Sequence, residues 1–185
     1  QVNPALYGDN QTRLFGFWKA GHASCFDTRC PGFITTNRKI PLGVPVGPVS
    51  KPGGVMYHID LRILRDNSSG NWWCYVKANW IPIGYWPKSL FTGLAGPATY
   101  ADWGGEAFSP PGTLGPQMGS GLYPNHPLAK YNAFSYAIKI TNDNYKNMDV
   151  VGIEEFTDYP SKYGVKDVGF VNDWVRHAAF WGGKS

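Results

Sequence analysis

Apolar and polar positions alternate along most of this chain. The clearest case is Met56 to Arg65, where Tyr57, Ile59, Leu61 and Ile63 fall on one face and His58, Asp60 and Arg62 on the other, a period of two that predicts a strand. The turn Asp66-Asn67-Ser68-Ser69-Gly70 leads on into Asn71-Trp72-Trp73-Cys74-Tyr75-Val76-Lys77, so the two runs predict a hairpin. Further strands are expected over Arg13 to Lys19, Phe33 to Thr36, Asn79 to Tyr85, Tyr100 to Trp103, Glu106 to Phe108 and Ala133 to Thr141, with two more between Val165 and Trp181. Only Trp86 to Leu94 reads as helix, with Pro87 in its first turn and Leu90, Phe91 and Leu94 on one side. Gln1 to Asp9 is irregular, Ile40 to Gly54 is a proline-rich loop or edge, and Pro110 to Pro127 is loop. Many short strands, one short helix, no internal repeat and no boundary predict one all-β domain over 1–185, an antiparallel β-sandwich of jelly-roll type.

Composition agrees. The 185 residues suffice for about one domain with a substantial core, and 23 Gly, 15 Pro and 16% aromatic residues suit a turn-rich β protein. A formal charge of +4 comes from 17 Lys and Arg scattered singly, which is no nucleic-acid footprint. No apolar run approaches the ~20 residues needed to cross a bilayer, so no membrane partner is expected. The chain opens at Gln1 without Met, and a preceding segment is expected to have been removed.

Cys25 and Cys30 lie five positions apart around Phe26-Asp27-Thr28-Arg29, a spacing that suits a small disulfide loop closed by Pro31-Gly32. A zinc site would want more ligands at regular spacing, and His22, His58, His126 and His177 provide no such pattern, so no metal and no cofactor are expected. Cys74, inside an aromatic strand, reads as a buried free thiol. Asn10-Gln11-Thr12 and Asn67-Ser68-Ser69 are glycosylation sequons, and with the cysteine pair they favour the secretory route.

The chemistry centres on Tyr100-Ala101-Asp102-Trp103-Gly104-Gly105-Glu106-Ala107-Phe108. Glu106 is one of three glutamates, and the others, Glu154 and Glu155, are adjacent in a polar stretch. Trp103 as an apolar wall would favour the protonated carboxyl, and Gly104 and Gly105 leave room for another backbone to approach. The plainer alternative is a turn with Glu106 on its solvated rim. No Gly-x-Ser-x-Gly elbow, His-Glu-x-x-His, phosphate loop or dinucleotide fingerprint is present. Ser120 lies between glycines with no histidine placed near it in sequence, which gives little support to a serine nucleophile.

Several blocks, in order, resemble the neprosin domain: Gln1-Val2-Asn3-Pro4 with Leu6-Tyr7-Gly8-Asp9, Thr12 to Phe15, Cys25 to Phe33, Ile40-Pro41-Leu42-Gly43, Gly70-Asn71-Trp72-Trp73, Gly84-Tyr85-Trp86-Pro87, Trp103-Gly104-Gly105-Glu106 and Met118-Gly119-Ser120-Gly121. The resemblance implies a secreted antiparallel sandwich and, in active members, an endopeptidase that works in acid and favours bonds beside proline. Its catalysis uses two glutamates, one as general base on water and one as general acid. Glu106 matches the second of these. Trp103, Gly104, Gly105 and Gln117 fall in its neighbourhood as substrate-binding candidates, with the Gln117 amide a donor for an oxyanion or a simple loop residue. The first glutamate would lie four residues ahead of Gln1, so the chain matches the later two-thirds of the domain and lacks its N-terminal strands. Cys74 has no match, and the C-terminal cysteine pair of many members is missing.

Two functions are therefore expected to compete. One is a plant-type secreted glutamic peptidase acting on peptides or proteins, in the apoplast or a secretory vacuole, inactive alone and completed by an N-terminal segment or a second chain. The other is a non-catalytic secreted sandwich for binding, storage or assembly.

Overall fold

Apolar alternations cut every few residues by Gly, Pro and Asn can make only short strands, and short strands are what form. The computed structural model of the chain describes residues 1–124 and 129–184. These contain eleven strands, every pairing antiparallel, and one short α-helix, α1 (Pro4–Tyr7). The fold is all-β, as the sequence predicts. It divides into two compact units, Gln1–Val49 with Tyr57–Thr99, and Ser50–Met56 with Tyr100–Ser185.

The first unit has two antiparallel layers. The hairpin of β1 (Phe17–Ala20) and β2 (Ala23–Phe26) contributes Trp18 and Cys25 to the core. A four-stranded sheet, in the order β3 (Ile34–Thr35), β6 (Ile81–Trp86), β5 (Trp72–Val76), β4 (Leu61–Arg65), contributes Cys74, Val76, Ile83 and Trp86. Leu14, Phe33 and Leu42 complete one apolar cluster, in which Ile83 is fully buried. Cys25 is disulfide-bonded to Cys30, and Cys74 is a buried free thiol, both as expected. Burial alone pushes the Cys74 thiol up to about 11.

The second unit is built around a three-stranded sheet in the order β10 (Tyr163–Phe170), β11 (His177–Gly183), β7 (Ala133–Ser135), beside the two-stranded ribbon of β8 (Lys139–Thr141) and β9 (Asn147–Asp149). Its apolar cluster consists of Ile138, Val150 and Ala179. Among the described residues no helix is long and apolar enough to cross a membrane.

Several expectations about elements fail, each for a physical reason. The helix expected at Trp86 to Leu94 is a single 3₁₀ turn, Lys88–Leu90, because Phe91 returns to extended backbone and packs with Leu90 against the core. The α-helix lies instead at Pro4–Tyr7, where Asn3 caps the N-terminus, Pro4 opens the first turn, and Gly8 (φ 78°) ends the helix by bonding back to the Pro4 carbonyl. The strand expected from Met56 begins only at Leu61, since its partner β5 stops opposite Leu61 and the chain turns away at Lys77 (φ 68°). The apolar face of the strand is open, with Leu61 and Ile63 54% and 60% exposed. Ala133 to Thr141 splits into β7 and β8 at Ala137, whose left-handed backbone (φ 51°) sends its N–H to the Val175 carbonyl. Finally, Tyr100 to Trp103 and Glu106 to Phe108 form no strand, because no neighbouring backbone pairs with them.

Candidate functional site

The blocks that carry the candidate chemistry gather within the second unit. Strand β11 ends in Trp181-Gly182-Gly183, and the Met118 N–H donates to the Gly183 carbonyl at 2.9 Å, an isolated antiparallel bridge that fixes Gln117-Met118-Gly119-Ser120-Gly121 beside the strand end. Trp103-Gly104-Gly105-Glu106 then passes over both. A Cβ added at Gly105 would lie 2.5 Å from Met118 Sδ and 2.6 Å from Trp181 Cδ1, whereas one at Gly104 would meet nothing within 4 Å. Gly105 is thus a close-approach position, and its lack of a side chain seats the loop on Met118 and Trp181. Three segments far apart in sequence meet at this point.

Glu106 follows immediately and is solvent-exposed. Its carboxylate makes no hydrogen bond or ion pair among the described residues. Trp103 is 37% exposed, so the two residues lie on an open surface rather than in an apolar enclosure. Gln117 is also exposed, and its Nε2 donates to the Gly119 carbonyl at 3.1 Å while its side chain rests against Gly121. Ser120 donates its hydroxyl to the Tyr131 carbonyl and accepts from the Leu122 N–H at 3.2 Å, so it stitches the loop together. His126 and Pro127 lie outside the described residues. Asn67 and Asn10 are exposed, Asn67 in the turn between β4 and β5.

Two polar clusters have no forerunner in the sequence reading. Around α1, the Tyr7 hydroxyl donates to Asp27 Oδ2 at 2.6 Å, and Asp27 Oδ1 accepts the Gly16 N–H at 3.0 Å. Arg13 forms a two-pronged bridge to Asp9, donates to the Gly43 carbonyl at 2.9 Å, and lies 4.5 Å from the centroid of the Tyr7 ring. Burial and then the Asp27 bond raise the Tyr7 hydroxyl to about 12, and the Arg13 guanidinium holds Asp9 far below the usual carboxylate range. The α1 blocks Leu6-Tyr7-Gly8-Asp9 and Thr12-Arg13 thus act as structural clamps. In the second unit, His177 Nε2 and Asp167 Oδ1 lie 2.7 Å apart across β10 and β11, with His177 buried. The β-bulge beyond Asp167 sets that alignment, and Glu155 Oε1 accepts the Asp167 N–H at 2.6 Å. Nothing local in the sequence forecasts this pairing, because it depends on the register of the two strands. No nucleophile is seen on His177 among the described contacts, so the pair reads as a strand fastening.

Chemically, the Gly105 junction presents one ionisable carboxylate, an amide and open backbone to solvent, a surface suited to an extended chain and without a metal-ligand cluster among the described residues. The Neprosin family model matches residues 1–184 of the chain.

Proposed function

The chain belongs to the Neprosin family, and we propose that it supplies one carboxylate, Glu106, of a secreted glutamic peptidase site. Family membership supports a peptidase-like domain. The observation that carries the assignment of Glu106 is the junction at Gly105, where the loop bearing this carboxylate is seated on Met118 and Trp181 with its acid open to substrate. In the reaction, the ionised member of a glutamate pair removes a proton from water, whose oxygen attacks the peptide carbonyl carbon. The protonated member then gives its proton to the departing amine nitrogen as the C–N bond breaks. In this reading Glu106 provides one member, and the other belongs to a Glu-x-Gly-Trp segment preceding the Gln1-Val2-Asn3-Pro4 block. Trp103 and Gly104 border the substrate, and Gln117 holds the adjoining loop. Substrates are peptides or proteins cut beside proline at acid pH. The Cys25–Cys30 disulfide supports an oxidising, extracellular setting, with Asn67 and Asn10 as glycan acceptors.

The test compares these 185 residues alone with the same chain extended upstream through the Glu-x-Gly-Trp segment, on a proline-containing peptide at acid pH. Rapid hydrolysis by the extended form and little by the shorter one is expected. Glu106→Gln in the extended form should lower kcat by about 10²–10⁴-fold. Unchanged hydrolysis in that variant would remove Glu106 from the mechanism. A second reading, a non-catalytic binding or storage sandwich, draws on the open and unpartnered state of Glu106, and predicts no hydrolysis by either form.

A further inference from the structure

We propose that the outer face of the β4–β5–β6 sheet in the first unit is a carbohydrate-binding groove, with Trp73, Tyr75 and Tyr85 as a stacking platform and Asp66, Ser69 and Asn71 as its hydrogen-bonding end. The alternation of β5 turns Cys74 and Val76 into the core, so Trp73 and Tyr75 stand on the opposite face. Trp73 is directly across from Tyr85 on β6, ring centroids 4.7 Å apart and planes inclined at 38°, and Tyr75 lies 6.4 Å from Trp73. Pro82 and the six named residues line an open depression of about 470 Å³.

The two ends of this groove differ in chemistry. Aromatic faces carry partial negative charge and attract the C–H groups on one side of a pyranose ring. At the other end, Asp66 Oδ2 accepts the Ser68 and Ser69 hydroxyls at 2.8 and 2.6 Å and the Ser69 N–H at 2.8 Å. Those donors, Ser69 first, hold the Asp66 carboxyl below its ordinary range. Its Oδ1 accepts no hydrogen bond among the described residues. Asn71 Oδ1 accepts the Lys88 N–H at 3.0 Å, which leaves the Asn71 amide N–H groups as donors. The Tyr75 and Tyr85 hydroxyls also have no hydrogen-bond partner among the described residues. A free acceptor, free amide donors and hydroxyls that do both match a sugar, whose hydroxyls each donate and accept.

A proline-rich peptide would stack on the same rings, but it offers carbonyl acceptors and few N–H groups. Asp66 Oδ1 would then be covered without a donor, which is unfavourable. Asn67 lies in the adjoining turn but does not line the groove, so the occupant is a separate oligosaccharide and not a glycan on that residue.

The probes are cellohexaose, xylohexaose, mannohexaose and chitohexaose, titrated calorimetrically into the full chain after enzymatic deglycosylation. Saturable binding of at least one is expected. Trp73→Ala should weaken it tenfold or more, Tyr85→Phe and Asp66→Asn several-fold each, and Trp174→Ala, at an exposed tryptophan of the second unit, not at all. Failure of all four sugars to bind overturns the proposal, as does binding that Trp73→Ala leaves intact. Binding of a decaproline peptide in place of the sugars overturns it as well. Should Trp73→Ala not fold, unchanged affinity in both Tyr85→Phe and Asp66→Asn has the same consequence. None of these variants touches Glu106, so the result is independent of the peptidase reading.

Discussion

Among the described residues, the first unit closes nine buried residues into one cluster, while the second gathers three. The second meanwhile leaves Tyr100, Phe108, Leu114, Val151, Phe156 and Trp174 more than 70% exposed. The first unit has a disulfide, a layered core and a helix capped at both ends. The second carries Glu106 on a loop that has no strand partner. Long-range hydrophobic closure makes a rigid frame, and chemistry presented to solvent sits where that closure is thin. The contrast teaches that the two parts should respond very differently to equivalent changes.

The largest test of this contrast is a pair of truncations. Ile83→Ala removes a side chain that is 0% exposed, and should destabilise by about 2–5 kcal/mol through lost burial plus the cavity left behind. Ile138→Ala, at a side chain 3% exposed in the three-residue cluster of the second unit, should cost about 2 kcal/mol, the low end of that range. Urea unfolding followed by tryptophan fluorescence measures both. Equal losses would mean that the second unit is packed as tightly as the first.

Next in size is the disulfide. Cys25→Ser with Cys30→Ser opens a loop of six residues, and the chain-entropy relation gives a loss of about 2 kcal/mol. For a protein of this size that lowers Tm by about 4–8 °C in calorimetry. Thiol titration of the parent should find no fast-reacting group in the native state, since burial pushes Cys74 to about 11, and one after denaturation.

A smaller and more local effect belongs to the junction itself. Gly105→Ala brings a Cβ to 2.6 Å from the Trp181 ring, which cannot retreat as readily as the Met118 side chain. A cost of about 1–3 kcal/mol is expected, with loss of any peptidase activity. Gly104→Ala enters open space, and should stay within about 0.5 kcal/mol. Parallel melting curves and peptide assays on the two variants measure this, and identical behaviour would dissolve the junction.

What could be read from the sequence follows the same division. Antiparallel pairing of β4 with β5 was legible because the second strand follows the first closely and the turn residues lie between, whereas for β10 and β11 the two strands were legible but not their pairing. The Cys25–Cys30 bridge was legible from spacing alone. The strands expected around Glu106 were not realised, since alternation signals a strand only if another backbone lies alongside, and that is a tertiary fact. The helix was misplaced because Pro87 with Leu90 and Phe91 resembles a helix start, whereas Asn3-Pro4 followed by Gly8 supplies the caps that a four-residue helix needs. Gly104 and Gly105 together were expected to leave room for another backbone, but only Gly105 is closely approached, and by side chains. The neighbours it meets, Met118 and Trp181, come from distant segments that no local pattern links.

The smallest expected effect compares the two arginine clamps, Asp9 with Arg13 in the first unit and Asp149 with Arg176 in the second. Hydrogen bonds from Arg176 hold the Asp149 carboxyl below its ordinary range, as those from Arg13 do for Asp9. A carboxyl whose folded value is depressed contributes stability that is fully present above its unfolded value, about 4, and is lost as pH falls through the folded value. Asp149→Asn and Asp9→Asn should therefore each flatten the loss of stability below about pH 4, and shift it by a constant amount above about pH 5. Arg13 is buried, but Asp9, Asp149 and Arg176 are all partly exposed, so the changes should be modest and should shrink further in high salt. Urea midpoints measured from pH 2 to pH 6 test this. If only Asp9→Asn flattens the acid limb, the second clamp is open in solution, and the unit that carries Glu106 is looser in acid than the frame that accompanies it.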